Sequence, residues 1–198
     1  MDSYIKSCFS NLKDIPKERK KDLDKLSAYI KTKLINGEMV NLTFICTHNS
    51  RRSQFGQIRA ATAAAYLGIR NVQTYSGGTE ATSFNTKAVD AIRLAGFSVD
   101  KTLGINPHYS VRFSDAAGAI ECFSKKFDDS FNPQKGFAAI MTCSTADEDC
   151  PLVAGAEFRI PLTYQDPKVA DGTINETATY NERCKQIATE MLYLFGNV

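Results

Sequence analysis

Apolar and polar positions follow two different periods along the chain, and these periods divide most of it into strands and helices. Four short apolar runs bounded by turn residues predict buried strands at residues 39–45, 71–76, 136–143 and 157–162. Apolar residues at helical spacing predict helices at 55–66, 85–96 and 176–195. Because strands and helices alternate, we expect an α/β fold with a parallel sheet and helices on both faces.

Polar residues and glycines mark where the first two of these helices begin and end. Ser50 or Ser53 is a candidate N-cap for the first helix, and Gly68 is a plausible stop. Asn85 is expected to cap the second helix, and Gly96 to end it.

Two segments fall outside the alternation. Residues 1–38 precede the first strand; residues 16–35 carry an apolar stripe that predicts a flanking helix, whereas the residues before them lack a pattern. In residues 104–132, apolar residues alternate with polar ones up to a turn at 114–118, and an apolar run returns at 119–123, which predicts a β-hairpin. This hairpin either covers one side of the functional site or extends the sheet. The chain thus divides into an N-terminal helical extension, residues 1–38, and an α/β domain, residues 39–198, with an insertion at about 104–132.

Composition narrows the classes of function. The 198 residues carry 24 Lys and Arg against 22 Asp and Glu, and the net charge of +2 is too small to indicate nucleic-acid binding. The N-terminus lacks the apolar core of a signal peptide and no stretch is apolar enough to span a bilayer, so we expect a cytoplasmic protein with reduced cysteines. Because there is no Cys-x-x-Cys pair and only two histidines, we expect no metal site and no bound cofactor.

The loop after the first predicted strand carries the candidate chemistry. Its sequence is Cys46-Thr47-His48-Asn49-Ser50-Arg51-Arg52-Ser53. The backbone N–H groups of such a loop and the N-terminus of the following helix form a cradle for an anion. This positive field and Arg52 favour the thiolate form of Cys46, and the planar guanidinium of Arg52 matches two oxygens of a tetrahedral oxyanion. A thiolate that faces a bound oxyanion is a nucleophile that faces its substrate.

This loop resembles the phosphate-binding loop of the low-molecular-weight protein tyrosine phosphatases and of the thioredoxin-coupled arsenate reductases that share their fold. The resemblance covers about residues 40–198, outside the N-terminal helix and the insertion. It implies a three-layer sandwich in which helices flank a four-stranded parallel sheet. It also implies that Cys46 is the nucleophile, that Arg52 clamps the oxyanion, and that Asp166, in the loop after the last strand, is the general acid.

The same resemblance assigns supporting roles. Ser53 would steady the thiolate by a hydrogen bond, and Asn49 and Ser76 would hold the shape of the loop. The oxyanion-binding set that it implies is Thr47, His48, Asn49, Ser50, Arg51, Arg52 and Ser53. Two loop positions depart from the family pattern. His48 stands where glycine is usual and either narrows the site or turns to solvent, whereas Arg51, where cysteine is frequent, adds positive field or faces water.

Two further cysteines distinguish the branches of this family. Cys143 and Cys150 have the separation and the place, after the third strand, of the two redox cysteines in the arsenate reductases. On a helix their thiols would lie about 10 Å apart, whereas a disulfide needs a Cα separation below about 7 Å. The polar segment 144–149 would therefore have to loop out. The resemblance implies a relay in which Cys46 attacks arsenate, Cys143 attacks Cys46 with release of arsenite, Cys150 attacks Cys143, and thioredoxin reduces the final disulfide.

Three hypotheses for the function follow. The first is an arsenate reductase that uses this three-cysteine relay. The second is a low-molecular-weight protein tyrosine phosphatase or a related phosphomonoesterase with a phosphocysteine intermediate. Lys168 argues against phosphotyrosine as its substrate, because the tyrosine phosphatases usually carry aromatic residues just after the acid. The third is a binding module that holds phosphate or another anion without turnover.

Overall fold

The computed structural model describes residues 2–114, 117–149 and 152–198. Its α-helices are α1 (Asp2–Ser10), α2 (Lys17–Ile35), α3 (Arg52–Tyr66), α4 (Thr86–Leu94), α5 (Ser144–Asp149) and α6 (Glu176–Gly196). Its strands are β1 (Val40–Cys46), β2 (Val72–Gly78), β3 (Ser98–Lys101), β4 (Tyr109–Arg112), β5 (Ile120–Cys122), β6 (Phe137–Met141) and β7 (Ala156–Pro161). Two 3-10 helices are Leu12–Asp14 and Pro167–Ala170.

Four strands form a parallel sheet in the order β2-β1-β6-β7. In its centre, Leu42 of β1 pairs with Thr74 on one side and with Ala138 on the other. All of β6 and all of β1 except Asn41 are buried, as expected for parallel strands that are covered on both faces. The α/β fold with a four-stranded parallel sheet flanked by helices is confirmed, and each of its strands begins and ends within two residues of the predicted bounds.

Alternate residues of β1 pack into two clusters of buried apolar side chains. Leu42 and Phe44 join a large cluster with α3, α6 and the N-terminal helices, whereas Ile45 joins a small cluster with residues of β6 and α5. Gly56 lets α3 approach β1 closely, since a Cβ at this position would lie 2.4 Å from Cδ1 of Phe44. The sheet therefore holds the start of α3 close to the end of β1.

The predicted hairpin is present, but it belongs to a second sheet. Tyr109 pairs with Cys122, and Val111 with Ile120, while residues 115 and 116 of its turn lie outside the described residues. β3 pairs with the other side of β4, which gives a three-stranded antiparallel sheet in the order β3-β4-β5. The expectation that the hairpin extends the main sheet is wrong. The apolar pattern missed β3 because none of its four residues is buried.

Residues before β1 form two helices rather than one. α2 lies where the apolar stripe predicts it, and α1 covers a stretch in which no pattern was found. Four apolar residues at helical spacing on α1 pack against the core, where α1 contacts α6, and the prediction missed this short stripe: Tyr4, Ile5, Cys8 and Phe9. α2 also binds α6, because Oγ of Ser27 donates to the carbonyl of Leu194 at 2.8 Å. None of the helices in the described part of the chain combines the length and the apolar character needed to cross a membrane.

Candidate active site

The loop between β1 and α3 lies at the carboxyl end of the sheet's central strands, where open α/β sheets bind their ligands. Within it, Asn49 has a φ of +47°, a left-handed conformation that asparagine adopts more readily than most residues. Arg51 occupies the N-cap position of α3 and makes no side-chain cap bond. The prediction of a serine cap is therefore wrong, because Oγ of Ser50 donates to the carbonyl of Ser83 at 2.7 Å and Ser53 faces the thiol.

The thiol of Cys46 is buried and lies within hydrogen-bond distance of the Ser53 hydroxyl. Oγ of Ser53 lies 3.0 Å from Sγ of Cys46, and Nδ2 of Asn49 donates to the same oxygen at 2.8 Å. Because Ser53 accepts from Asn49, its own proton is free to point at the sulfur. The structure thus brings the side chains of Cys46, Asn49 and Ser53 together.

Arg52 and Asp166 also lie together. Nη2 of Arg52 is 2.7 Å from Oδ2 of Asp166, and its Nη1 donates to the carbonyl of Tyr164 at 3.0 Å. Oδ1 of Asp166 accepts from the amide of Lys168 at 3.0 Å and so caps the 3-10 helix Pro167–Ala170. Nε of Arg52 is buried without a hydrogen-bond partner among the described residues. An unpaired buried donor costs about 1–3 kcal/mol, and a bound anion is a natural acceptor for it.

Ser76 takes a different place from the one expected of a loop support. Its hydroxyl donates to Oε1 of Gln57 at 2.7 Å, and so joins β2 to α3. The residue that bonds the start of the loop from the end of β2 is Thr79, whose amide donates to the carbonyl of Cys46 at 3.1 Å. The loop is thus held from this side by backbone rather than by the Ser76 hydroxyl.

Cys143 follows β6 directly and lies against the loop. Its side chain is 1% exposed, and its Sγ lies 3.5 Å from Oγ1 of Thr47. Cys46 and Cys143 belong to the same small buried cluster. The amide of Ala146 donates to Sγ of Cys143 at 3.3 Å. The structure therefore brings the first of the two further cysteines to the loop that begins at Cys46, whereas Cys150 lies outside the described residues.

Comparison with known proteins agrees with this geometry. No family model matches the chain. An arsenate reductase from Bacillus licheniformis is 27% identical over 157 residues, which cover 77% of this chain and 92% of that protein. A low-molecular-weight protein tyrosine phosphatase from T. tengcongensis superimposes with a TM-score of 0.54 at 14% identity, over 80% of this chain and 99% of its own. An arsenate reductase in a phosphate-binding state gives a TM-score of 0.51 at 16% identity, over 80% and 98%.

The chain shares the fold of the low-molecular-weight protein tyrosine phosphatases and of the arsenate reductases. Its sequence relatives include an arsenate reductase, as the resemblance of the loop implies. The described parts of this phosphatase-fold protein contain no group of three or more His, Cys, Asp or Glu side chains that is arranged to hold a metal ion.

The two loop residues that depart from the superfamily pattern have different surroundings. The His48 side chain is 50% exposed, and its Nε2 lies 3.5 Å from Oε2 of Glu80. Arg51 is only 13% exposed; its Nε donates to the hydroxyl of Tyr180 at 2.9 Å, and its Nη2 lies 3.7 Å from Oδ2 of Asp171. The expectation that Arg51 faces water is therefore wrong, and His48 turns its ring to the surface.

Sequence reasoning missed the residues after β5 that support the loop. Oγ of Ser124 donates to the carbonyl of His48 at 2.9 Å, and the amide of Lys125 donates to Oδ1 of Asn49 at 3.0 Å. The Lys125 side chain is buried beside the ring of Phe123, with Nζ 4.3 Å from the ring centre, and burial lowers its pKa to about 8. The hairpin therefore leads into residues that support the loop, and no local pattern reveals contacts across 76 residues.

Proposed function

We propose that this protein reduces arsenate to arsenite, with Cys46 as the nucleophile and Cys143 as the second thiol. The observation that carries the proposal is the 3.5 Å contact between Sγ of Cys143 and Oγ1 of Thr47, the residue next to Cys46. Because both thiols are buried in one cluster, a bond between them requires only local movement of the loop and of the start of α5. The arsenate reductase among the sequence relatives supports the same reaction.

In the first step, the Cys46 thiolate attacks the arsenic of arsenate and forms a sulfur–arsenic bond. Loop N–H groups and Arg52, whose buried Nε needs an acceptor, hold the arsenate oxygens. One oxygen leaves as water after Asp166 gives it a proton. In the second step, the Cys143 thiolate attacks Sγ of Cys46, the sulfur–arsenic bond breaks, and its electron pair stays on arsenic. The products are arsenite and a Cys46–Cys143 disulfide, so the two thiols supply both electrons.

The enzyme must then be reduced. As the resemblance implies, Cys150 attacks Cys143, frees Cys46 and forms a Cys143–Cys150 disulfide that thioredoxin reduces. For this, α5 has to leave its place, which breaks the bonds of 2.7 Å and 2.5 Å that Arg159 donates to the carbonyl and carboxylate of Asp147. A cytoplasmic location, where the thioredoxin system keeps thiols reduced, is part of this proposal.

The deciding experiment measures arsenate-dependent NADPH consumption with thioredoxin and thioredoxin reductase. We expect Cys143→Ser to lower this rate to the background of the assay, because the electron pair for arsenic has no other source in the second step. Cys8→Ser is the matched control, since Cys8 is equally buried but lies on α1, and it should keep the parent rate. Reduction of arsenate by Cys143→Ser at the parent rate would overturn the proposal.

A phosphomonoesterase is the second candidate. It is favoured by the 2.7 Å contact between Arg52 and Asp166, which places an acid beside the oxyanion clamp without any need for Cys143. A phosphocysteine at Cys46 would form as the ester oxygen leaves with a proton from Asp166, and water would then hydrolyse it. This candidate predicts p-nitrophenyl phosphate hydrolysis that is lost in Cys46→Ser and kept in Cys143→Ser. Hydrolysis without any arsenate reduction would select it over the reductase, and anion binding without a Cys46 adduct would exclude both.

A further inference from the structure

We propose that Arg51 is a positioning residue, which acts with Tyr180 to hold residues 166–171, called here the acid segment, against the loop. This inference rests on the proposed role of Asp166 as the general acid. It assigns a task to the loop residue where the family often has cysteine. It also explains why Arg51 is buried instead of facing water.

The contact between Asp166 and Arg52 is insufficient to hold the acid segment during the reaction. That contact is an ion pair of 2.7 Å, and its strength depends on the negative charge of Asp166. To donate a proton, however, Asp166 has to be neutral, and a neutral carboxyl loses the ion pair with the guanidinium and keeps only a weaker hydrogen bond. The bound oxyanion competes for Arg52 at the same moment. The contact between Asp166 and Arg52 is therefore weakest when Asp166 has to be in place as the acid.

A second set of contacts reaches the same segment at Asp171. Nε of Arg51 also lies 4.0 Å from Oδ1 of Asp166, but the contacts that Arg51 and Tyr180 make with Asp171 do not depend on the charge of Asp166. Nε of Arg51 donates to the Tyr180 hydroxyl at 2.9 Å, and that hydroxyl donates to Oδ1 of Asp171 at 2.8 Å. Nη2 of Arg51 lies 3.7 Å from Oδ2 of Asp171, and Nζ of Lys87 lies 3.8 Å from Oδ1. Burial raises the pKa of Tyr180 to about 12, so its hydroxyl keeps its proton.

The contacts of Arg52 and those of Arg51 with Tyr180 hold opposite ends of the acid segment. Asp166 is the N-cap of the 3-10 helix Pro167–Ala170, and Asp171 is its C-cap. Because a short helix moves as one body, holding Asp171 limits how far Asp166 can swing. The loop thus fixes the acid segment at both ends, through Arg52 at one and Arg51 at the other.

The test measures the order of the acid segment directly. The chain has no tryptophan, and Val169 in this segment is 67% exposed, so Val169→Trp introduces a single fluorescent reporter. In this background, Asp166→Asn removes the charge as protonation does, and Tyr180→Phe removes the bridging hydroxyl. We expect the tryptophan anisotropy of each single variant to match that of the parent reporter, because one set of contacts remains. The double variant should show a clear fall, because it loses both the ion pair of Asp166 with Arg52 and the hydroxyl that joins Arg51 to Asp171.

Tyr193→Phe is the matched control, since its hydroxyl also donates to an aspartate, Asp24, but on another side of α6. Combined with Asp166→Asn, it should leave the anisotropy unchanged. The proposal is wrong if the double variant with Tyr180→Phe keeps the parent anisotropy, or if the control combination loses as much. Circular dichroism of each variant reports that the fold is retained.

A kinetic readout separates positioning from a general structural effect. An acid matters most for a poor leaving group, so Tyr180→Phe should slow phenyl phosphate hydrolysis about tenfold and p-nitrophenyl phosphate hydrolysis far less. Equal losses on both esters would contradict the positioning role. If the parent turns over neither ester nor arsenate, the proposed function fails, and the anisotropy measurement still decides whether Arg51 and Tyr180 hold the segment.

Discussion

At the scale of single residues, Ser53 joins the shape of the loop to its chemistry. Its hydroxyl accepts from Asn49, which stands in the left-handed conformation, and lies 3.0 Å from the Cys46 sulfur. The bend of the loop and the position of the sulfur's partner are therefore set by the same side chain. A polar residue that looks like a helix cap in the sequence is instead a partner of the nucleophile.

We expect Ser53→Ala to make Cys46 less reactive, because a hydrogen bond to a charged sulfur contributes about 1.5–3 kcal/mol. The rate of alkylation by iodoacetamide at pH 6 should fall about tenfold or more, with a parallel fall in turnover. Ser50→Ala is the matched control, since the Ser50 hydroxyl bonds Ser83 and not the sulfur. Equal alkylation rates for Ser53→Ala and Ser50→Ala would show that the hydroxyl does not stabilise the thiolate.

At the scale of elements, the second sheet acts on the loop through the residues that follow β5. The hairpin was predicted from its alternating pattern, but its effect depends on Ser124, which the pattern does not mark. Oγ of Ser124 donates to the carbonyl of His48 at 2.9 Å and accepts from the amide of Thr82 at 2.8 Å. One buried hydroxyl thus joins three chain segments beside the site.

Ser124→Ala should lower the free energy of unfolding by about 1–2 kcal/mol, because it leaves the Thr82 amide without its acceptor. The loss of the bond to His48 should also weaken the binding of inorganic phosphate. Urea unfolding and isothermal titration calorimetry measure the two effects. Ser10→Ala, at an exposed hydroxyl on α1, should change stability by less than about 0.5 kcal/mol. A Ser124→Ala variant with the stability and the phosphate affinity of the parent would show that the residues after the hairpin do not support the site.

At the scale of the whole molecule, what the sequence predicts is what depends on local pattern. The four strands of the main sheet follow from apolar runs, and the Asn85 cap follows from one side chain that accepts from the amides of Lys87 and Ala88. β3 was not predicted because its exposed residues leave no period to detect, whereas α1 was missed although it carries a short apolar stripe. The contacts of Ser124 and Arg51 could not be predicted from the sequence, because they join residues 76 and 129 positions apart, which only the fold brings together.

The N-terminal extension reaches the site by such a long-range route. Nε of Arg19 on α2 donates to Oε2 of Glu190 on α6 at 2.9 Å, and the Tyr164 hydroxyl donates to the same oxygen at 2.7 Å. The guanidinium of Arg19 also lies 4.5 Å from the centre of the Tyr164 ring. Since the Tyr164 carbonyl accepts from Nη1 of Arg52, the extension supports a residue that orients Arg52.

Arg19→Met should therefore destabilise the protein by about 3 kcal/mol, because it leaves the buried carboxylate of Glu190 without its counter-charge. Arg19→Met with Glu190→Gln should recover part of this loss, since the uncompensated charge is gone. Lys21→Met is the control, because its ion pair with Glu18 is exposed and contributes less than about 1 kcal/mol. Urea unfolding measures all four forms. If Arg19→Met lowered the free energy of unfolding no more than Lys21→Met, the extension would cover α6 without supporting Tyr164 and Arg52.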